Sequence, residues 1–375
     1  MAPEVLGPRA LNRATLARQM LLERHEVAPV DAVGLLVGLQ AQEPPDPHVA
    51  LHARLAGFDP AVLSRAMEDR EVVRIVAMRA TVHMLTAADA ATLRPLTQRV
   101  LDDELRRHPE HRWTSERDMT PVLDAARPFL SDPAAPRSMK ALRQHLGERF
   151  PADEAAGMAY ACRNLLPLVQ TPPRGMWGRS AQVAYVTLQA WTGRDLDPDP
   201  SIDDVALRYI AAFGPARPAD LATWSRLTGF REVLDRLRPR LRAFRDERGR
   251  ELLDLPDAPR PDEDVPAAPR FLPQYDNVLL SHGDRSRFHG DRHAELVAGV
   301  GESWGRCGSV LLDGTVLGPW HVERDEDGGA TVVVRHARRV TARAAGPLRT
   351  EARRLLRLLA PEAGSRELRL EPVAP

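Results

Sequence analysis

The sequence predicts an α+β chain made of three successive rounds of helices, each closed by a short β pair, followed by a mostly β C-terminal region. Three observations carry this. Apolar residues recur at helical spacing through most of the chain before Pro256. Runs rich in β-branched residues break that rhythm three times, each after a group of helices. A Pro- and acid-rich stretch then separates the rounds from a tail dominated by strand signals.

Leu11–Leu22 fits an amphipathic helix with Asn12 as N-cap, and a second helix runs from Val30 to Leu39. Pro44, Pro45 and Pro47 stop any continuation. Helices resume at His48–Ala56 and Pro60–Asp69, and Val72–Met78 with Thr81–Leu85 reads as β. In the second round, Pro121–Leu130, Met139–Phe150 (capped by Ser138) and Ala152–Leu165 are helices. Leu168–Thr171 then pairs with Gln182–Leu188 around a tip near Pro172–Gly175. The third round has helices at Ile202–Phe213, Ala219–Leu227 and Arg231–Leu237. It closes with Leu241–Arg245 and Glu251–Leu255 about a turn at Asp246–Gly249. Arg137–Arg143 sits in its round much as Arg217–Thr223 sits in the next.

Three helices and a β-hairpin make the plan of a winged helix, a helix-turn-helix with a wing. The expected organisation is three such units at 1–110, 111–200 and 201–255, a linker at 256–270 and a β-rich region at 271–375. Pro256–Pro269 holds five prolines and four acids, the composition of a linker. Beyond it, Val310–Asp313 and Thr315–Leu317 flank Asp313-Gly314, a two-residue hairpin signal. Thr331–Arg335 reads as a strand, Leu348–Leu359 as a helix, and a short strand near Leu368 ends the chain.

Composition bounds the function. The chain has 375 residues, 43% apolar and 28% charged, as in ordinary folded proteins. No apolar run approaches the ~18 residues of a membrane span. The N-terminus lacks a basic-then-apolar signal pattern, so a cytoplasmic protein is expected. Cys162 and Cys307, the only cysteines, have no metal-ligand spacing. Of the 52 basic side chains all but Lys140 are arginine, most simply a codon-usage bias. The bias still restricts chemistry, because an amine nucleophile is then either Lys140 or the terminal amine. The 52 acids bring the net charge to zero without excluding a nucleic-acid partner. Arg231–Arg250 carries eight arginines against four acids, and Arg335–Arg357 eight against one. Such runs are either a salt-bridged face or a phosphate-binding stripe.

Two patterns are decoys. Gly299, Gly301 and Gly305 partly mimic a dinucleotide fingerprint, but no strand precedes them. His282, Asp284, His289, Asp291 and His293 are metal-competent side chains in a Gly/Arg-rich loop, which reads better as a polar or DNA-facing surface. No Gly-x-Ser-x-Gly elbow, Walker loop or His-Glu-x-x-His motif occurs. No metal and no cofactor is expected.

The informative stretches come in order: Gln40-Ala41-Gln42 at the end of the second helix, its Pro-rich turn, Arg79–Leu85, Leu272–Arg285 and Val310–Trp320. Together, over most of the chain, they resemble the bacterial winged-helix DNA glycosylases of the AlkZ and YcaQ type. The Gln-x-Gln form looks like the AlkZ branch, associated with self-resistance to the azinomycin crosslinker. The YcaQ branch has an acid where this sequence has Gln42.

The resemblance implies three tandem winged-helix units around a concave, basic DNA channel. It implies hydrolysis of the N-glycosidic bond of N7-alkylated purines, crosslinked ones included, with Gln40 and Gln42 as catalytic residues. The chemistry agrees. A purine alkylated at N7 is cationic and leaves as a neutral base without a general acid. A glutamine carbonyl accepts a hydrogen bond from the attacking water, and its dipole steadies the positive sugar. Glu43 either assists as a base or faces away as a surface acid. With Lys140 the only lysine, on a helix of the second unit, a monofunctional water mechanism is expected rather than a Schiff base. A base tethered to both strands cannot be swung fully into a deep pocket, so an open channel suits crosslinks better than base flipping. Arg79, His83, the hairpin residues Arg174 and Trp177, and the loop residues His282, Arg285 and Arg287 are expected DNA contacts. The hairpin residues have packing between units as their alternative. The partner is duplex DNA, and a single copy is expected to act. The competing reading is a non-enzymatic winged-helix regulator or lesion-shielding protein.

Overall fold

Proline and glycine set where the first helix begins. Gly7 is extended and Pro8 follows it, so the helix spans Pro8–Arg18. Asn12 is therefore not its N-cap but lies one turn inside, buried, donating to the carbonyls of Arg287 (2.8 Å) and Gly314 (2.7 Å). The computed structural model describes residues 3–289, 307–336 and 338–372. Its strands, in chain order, are β1 (Val5–Leu6), β2 (Leu39–Gln40), β3 (Val72–Val76), β4 (Val82–Thr86), β5 (Leu168–Gln170), β6 (Tyr185–Thr187), β7 (Arg242–Asp246), β8 (Glu251–Asp254), β9 (Arg270–Leu272), β10 (Gly308–Leu312), β11 (Thr315–Arg324), β12 (Ala330–His336) and β13 (Arg366–Pro372).

Among the described residues these strands form three sheets. The first two hairpins do not stand apart as separate wings. Antiparallel pairing of Arg74 with Gln170 and Ile75 with Val169 joins them into one sheet of order β2-β4-β3-β5-β6. Both faces of that sheet are buried. Val73 and Ile75 point into a core shared with the third round, including Ile210, Phe213, Trp224 and Leu234. Val72 and Val76, one position out of phase, pack against Leu36, Leu51, Leu63 and Met67 of the first-round helices.

The third hairpin, β7–β8, takes β1 as a parallel third strand. The remaining sheet has the order β13-β12-β11-β10-β9. The helix Ala342–Leu359 covers it through Leu348, Ala352, Leu355 and Leu356. The Asp313-Gly314 turn has both residues at positive φ, 49° and 76°, as a two-residue hairpin requires.

Pro256–Pro269 contains no helix or strand, yet it is tied down. Side chains of the first helix hold its backbone carbonyls: Arg9 to Glu263 (2.7 Å), Arg13 to Val265 (2.6 Å) and Arg18 to Pro259 (3.3 Å). Two helices not expected from the sequence, Ala87–Leu96 and Gln98–Arg107, connect the first hairpin to the second round. Among the described residues no helix is long and apolar enough to cross a membrane.

Candidate active site

The second helix is shorter than its apolar spacing suggests, spanning Pro29–Leu35. Val37 and Gly38 then take left-handed conformations (φ 54° and 89°) and reverse the chain. A Cβ at Gly38 would lie 2.3 Å from Leu85 Cδ2, so only glycine fits this close approach. Leu39-Gln40 consequently emerges not as a helix end but as an edge strand paired with β4, Gln40 opposite His83. The Ala41 amide donates to the Val82 carbonyl (2.8 Å), which carries the pairing one residue further. Ala41 is fully buried on the first-round side. Gln40, out of phase with the buried Leu39 and Ala41, therefore looks toward the third round, whereas Gln42 lies in the bend that follows, its Oε1 accepting from the Val82 amide (3.4 Å). Gln40 is 8% exposed, whereas Gln42 is exposed at the strand's end.

The loop between β3 and β4 aims a guanidinium at this face. Arg79 and Ala80 are consecutive non-glycine residues at φ 55° and 57°. Each such conformation costs about 1–3 kcal/mol and persists only when its surroundings enforce it. Arg79 Nη2 donates to Gln40 Oε1 (2.6 Å), and Nη1 donates to the Trp224 carbonyl at the end of the helix Pro218–Ser225. His83 Nε2 lies 3.2 Å from Arg79 Nη2, and His83 Nδ1 lies 3.0 Å from the Thr81 carbonyl. A carbonyl can only accept, so the histidine proton sits on Nδ1 and Nε2 is the acceptor. Burial, together with the neighbouring Arg79, pushes the His83 imidazole down to about 3. Burial, with Arg226 and Arg285 nearby, lowers Arg79 to about 10. At neutral pH Arg79 is thus charged and His83 neutral. The donor in front of it also fixes the Gln40 amide. The carbonyl faces Arg79 with one lone pair still free, and the NH₂ group is left for another partner.

Residues of the Leu272–Arg285 stretch brace both flanks of this strand. Asn277 Nδ2 donates to the Gly38 carbonyl (2.8 Å), just before Gln40. Asp276 forms a two-pronged ion pair with Arg54 (2.7 and 2.8 Å) on the helix Asp46–Arg54, just after Gln42. Both partners of that pair are fully buried. These bracing roles have no local sequence signal, because the partners are more than 200 positions apart. Between them, the Asp46 carboxyl is buried with one oxygen unpartnered. Desolvation, then Glu43 and Asp276, raise it to about 8. Glu43 itself is exposed.

Several expected DNA contacts lie elsewhere. His282 is 1% exposed, with Nε2 donating to the Phe213 carbonyl (3.1 Å), and burial lowers it to about 3. Arg287 is buried too, donating to Thr15 Oγ1 (3.0 Å) and the Pro215 carbonyl (3.2 Å). Both knit the C-terminal region to the first and third rounds instead of facing a duplex. Trp177 is half-buried, with its ring 5.1 Å from that of His48 and its amide donating to Ser64 Oγ (3.0 Å). Arg174, also half-buried, donates to the Ala181 carbonyl (3.1 Å). The tip of the second hairpin thus packs on the first round. Arg285 stays half-buried beside Arg79.

The run Arg231–Arg250 is largely a salt-bridged face: Arg236 pairs with Asp203, Arg238 with Glu251, Arg242 with Glu4, and Arg250 with Asp246 and Asp284. Asp291, His293, Gly299, Gly301 and Gly305 lie outside the described residues. Among the described residues no cluster of metal-binding side chains forms. Neither a cavity of about 350 Å³ beside Arg217 and Arg248 nor one of about 1090 Å³ along the proline strap is lined by Gln40 or Gln42.

The model of the AlkZ-like family, described as DNA glycosylase AlkZ-like, matches residues 33–358 and so spans the Gln40–Gln42 strand, the Arg79 loop and the Asp276–Asn277 brace. The structure superposes on Streptomyces sahachiroi DNA glycosylase AlkZ with a TM-score of 0.75 at 20% identity, over 98% of this chain and 100% of that one, and the two share a fold. No curated protein sequence matches the chain. The family match favours an enzyme over a non-enzymatic DNA-binding protein, and the chain belongs to the AlkZ-like DNA glycosylase family.

Proposed function

We propose that the enzyme hydrolyses the N-glycosidic bond of cationic N7-alkylated purines by a monofunctional, water-dependent route. Gln40 and Gln42 position the water. The observation that carries this reading is a fixed glutamine followed two residues later by an exposed one, both held against β4 and its loop. Arg79 holds the Gln40 carbonyl at 2.6 Å, and Gln42 stands at the open end. A fixed amide dipole suits stabilisation of developing positive charge, since it needs no reorganisation during bond cleavage. It suits poorly a reaction that needs a strong base. The substrate supplies the missing driving force, because the cationic base departs as a neutral molecule. Glu43, exposed beside the motif, acts as a surface acid.

An amine mechanism has little support. Lys140 is exposed on the helix Met139–Gly147, whose Leu142 and Leu146 pack within the second round. Unhooking of interstrand crosslinks, and through it self-resistance to an azinomycin-like alkylator, fits a site carried on an edge strand. Such a site can meet a nucleotide that stays tethered in the duplex.

The test is release of free base from duplex DNA carrying N7-methylguanine, with borohydride present. The expected result is base release leaving an abasic strand, with no trapped covalent adduct. DNA binding without release would remove the reading, and a trapped adduct with a nicked strand would replace water by an amine.

A further inference from the structure

We infer that Arg226 and Arg285, with Arg79 behind them, bind one backbone phosphate of the DNA beside the reacting nucleotide. The inference deepens the base-excision reading above and rests on it.

Three elements that carry these arginines meet at the helix Pro218–Ser225, close enough that Arg226 and Arg285 both act on the Arg79 charge. Arg79 comes from the β3–β4 loop and is tied to the Trp224 carbonyl. Two residues beyond Trp224, Arg226 caps the helix Pro218–Ser225 in a left-handed conformation (φ 62°) and is exposed. Arg285 comes from the loop that follows the Asp276–Asn277 brace. That loop rides on the same helix, since the Gly283 amide donates to Asp220 Oδ1 (2.9 Å) and a Cβ at Gly283 would lie 3.2 Å from Thr223 Oγ1.

No carboxylate balances the group among the described residues. The acid next to Arg285 is already committed, because Asp284 accepts from Arg250 (2.5 Å) and from the Ser286 amide (3.0 Å). Asp220 is taken by the Arg217 amide (2.8 Å) and the Gly283 amide. Arg79 meets only neutral acceptors, namely Gln40, Trp224 and His83. Like charges held together without a counter-charge are unfavourable unless an anion completes them. The anion that the substrate brings is a phosphodiester, whose planar-fork recognition is the strength of arginine. Because Arg79 touches Gln40 directly, that phosphate lies next to the nucleotide being cleaved. Arg79 is then a positioning residue that couples phosphate binding to the orientation of the Gln40 amide.

The test is a salt titration of binding to duplex containing N7-methylguanine, for the full chain and for Arg226→Gln, Arg285→Gln and the double variant. Each neutralised phosphate contributes about 0.9 to the slope of log affinity against log salt. Each single variant is expected to weaken binding about 5- to 10-fold near 0.1 M salt and to flatten the slope by about one. The double variant should flatten it no further, since both arginines serve one phosphate. Arg226→Lys should restore much of the slope, which separates charge from fold. A methylphosphonate at the flanking position should weaken binding by the parent chain and leave the double variant unaffected. An unchanged slope in all variants, a slope loss of about two in the double variant, or equal methylphosphonate sensitivity in parent and double variant would overturn the shared-phosphate site. If the parent releases no base yet shows the methylphosphonate penalty, the phosphate site stands and the excision reading falls.

Discussion

Two kinds of arginine can be compared in this molecule. Arg18 and Arg54 each grip a buried carboxylate with both prongs, Asp254 at 2.6 and 2.8 Å and Asp276 at 2.7 and 2.8 Å. Arg79, half-buried, faces an amide, a backbone carbonyl and an imidazole, and keeps its charge unbalanced. The first kind tie distant segments together. They are electrically closed, since each guanidinium is answered by an acid within hydrogen-bond distance. The second kind sits in a strained loop beside an edge strand, and its field is directed at whatever enters the site. Arg18 and Arg54 spend their charge on architecture, whereas Arg79 keeps its charge for whatever enters the site.

The largest effect belongs to the closed pairs. Asp276→Asn leaves the Arg54 charge buried without its counter-charge and should cost about 3–5 kcal/mol of stability in denaturant unfolding. A loss under ~1 kcal/mol would mean that the pair is not what braces the active strand. Next comes the open site. Gln40→Ala or Gln42→Ala should lower single-turnover base release at least ~100-fold while DNA affinity stays near the parent value. Unchanged release in both would reduce the motif to a structural one.

The third effect is a pH dependence. Asp46 keeps its proton in the fold up to about pH 8, against a reference value of 3.8. Between those values the folded chain binds one proton more than the unfolded chain, so stability falls as pH rises through the window. His48, His52, His83 and His282 act in the opposite sense, held to about 4, 3, 3 and 3 against 6.5. Below pH 6.5 the unfolded chain binds their protons and the folded chain does not, so stability also falls toward acid. These groups together place the stability maximum at about pH 7, where the four unfolded-state histidines together bind as many protons as Asp46 holds in the fold. Asp46→Asn should flatten the alkaline limb and raise stability at pH 8 by ~2 kcal/mol, read from thermal unfolding across pH. A parallel downward shift at all pH values would contradict the burial argument. The smallest effect is Glu43→Gln, which should change base release by less than about 3-fold, as for an exposed charge outside the reacting centre. A loss comparable to that of Gln40→Ala would make Glu43 the base.

Much of the element order was legible because long amphipathic segments announce themselves. Ile202–Phe213 has the bounds its periodicity predicts, and Asp313-Gly314 makes the turn its residue types demand. Gln40 and Gln42 could be singled out by order and spacing, but not their strand. Two residues are too few for a period-2 signal, and a β-branched Val37 at φ 54° is a turn that local preference argues against. The merging of the first two hairpins was hidden because Arg74 and Gln170 meet only through the third dimension. The same holds for the arginines. Nothing in the run around Arg287 says that its guanidinium ends on Thr15, or in the run around Arg79 that it ends on Gln40. Where a basic side chain ends is a tertiary fact, and here it separates the expected DNA contacts that stay near the active strand from those that do not.

The central claim is that Gln40, fixed by Arg79, and Gln42 beside it suffice to excise a cationic purine. Single-turnover release of N7-methylguanine from duplex DNA, compared between the parent chain and Gln40→Ala, tests it most directly. The account predicts release by the parent and a loss of at least ~100-fold in the variant. Equal release by the two proteins, or none by the parent under conditions where it binds the duplex, would contradict it.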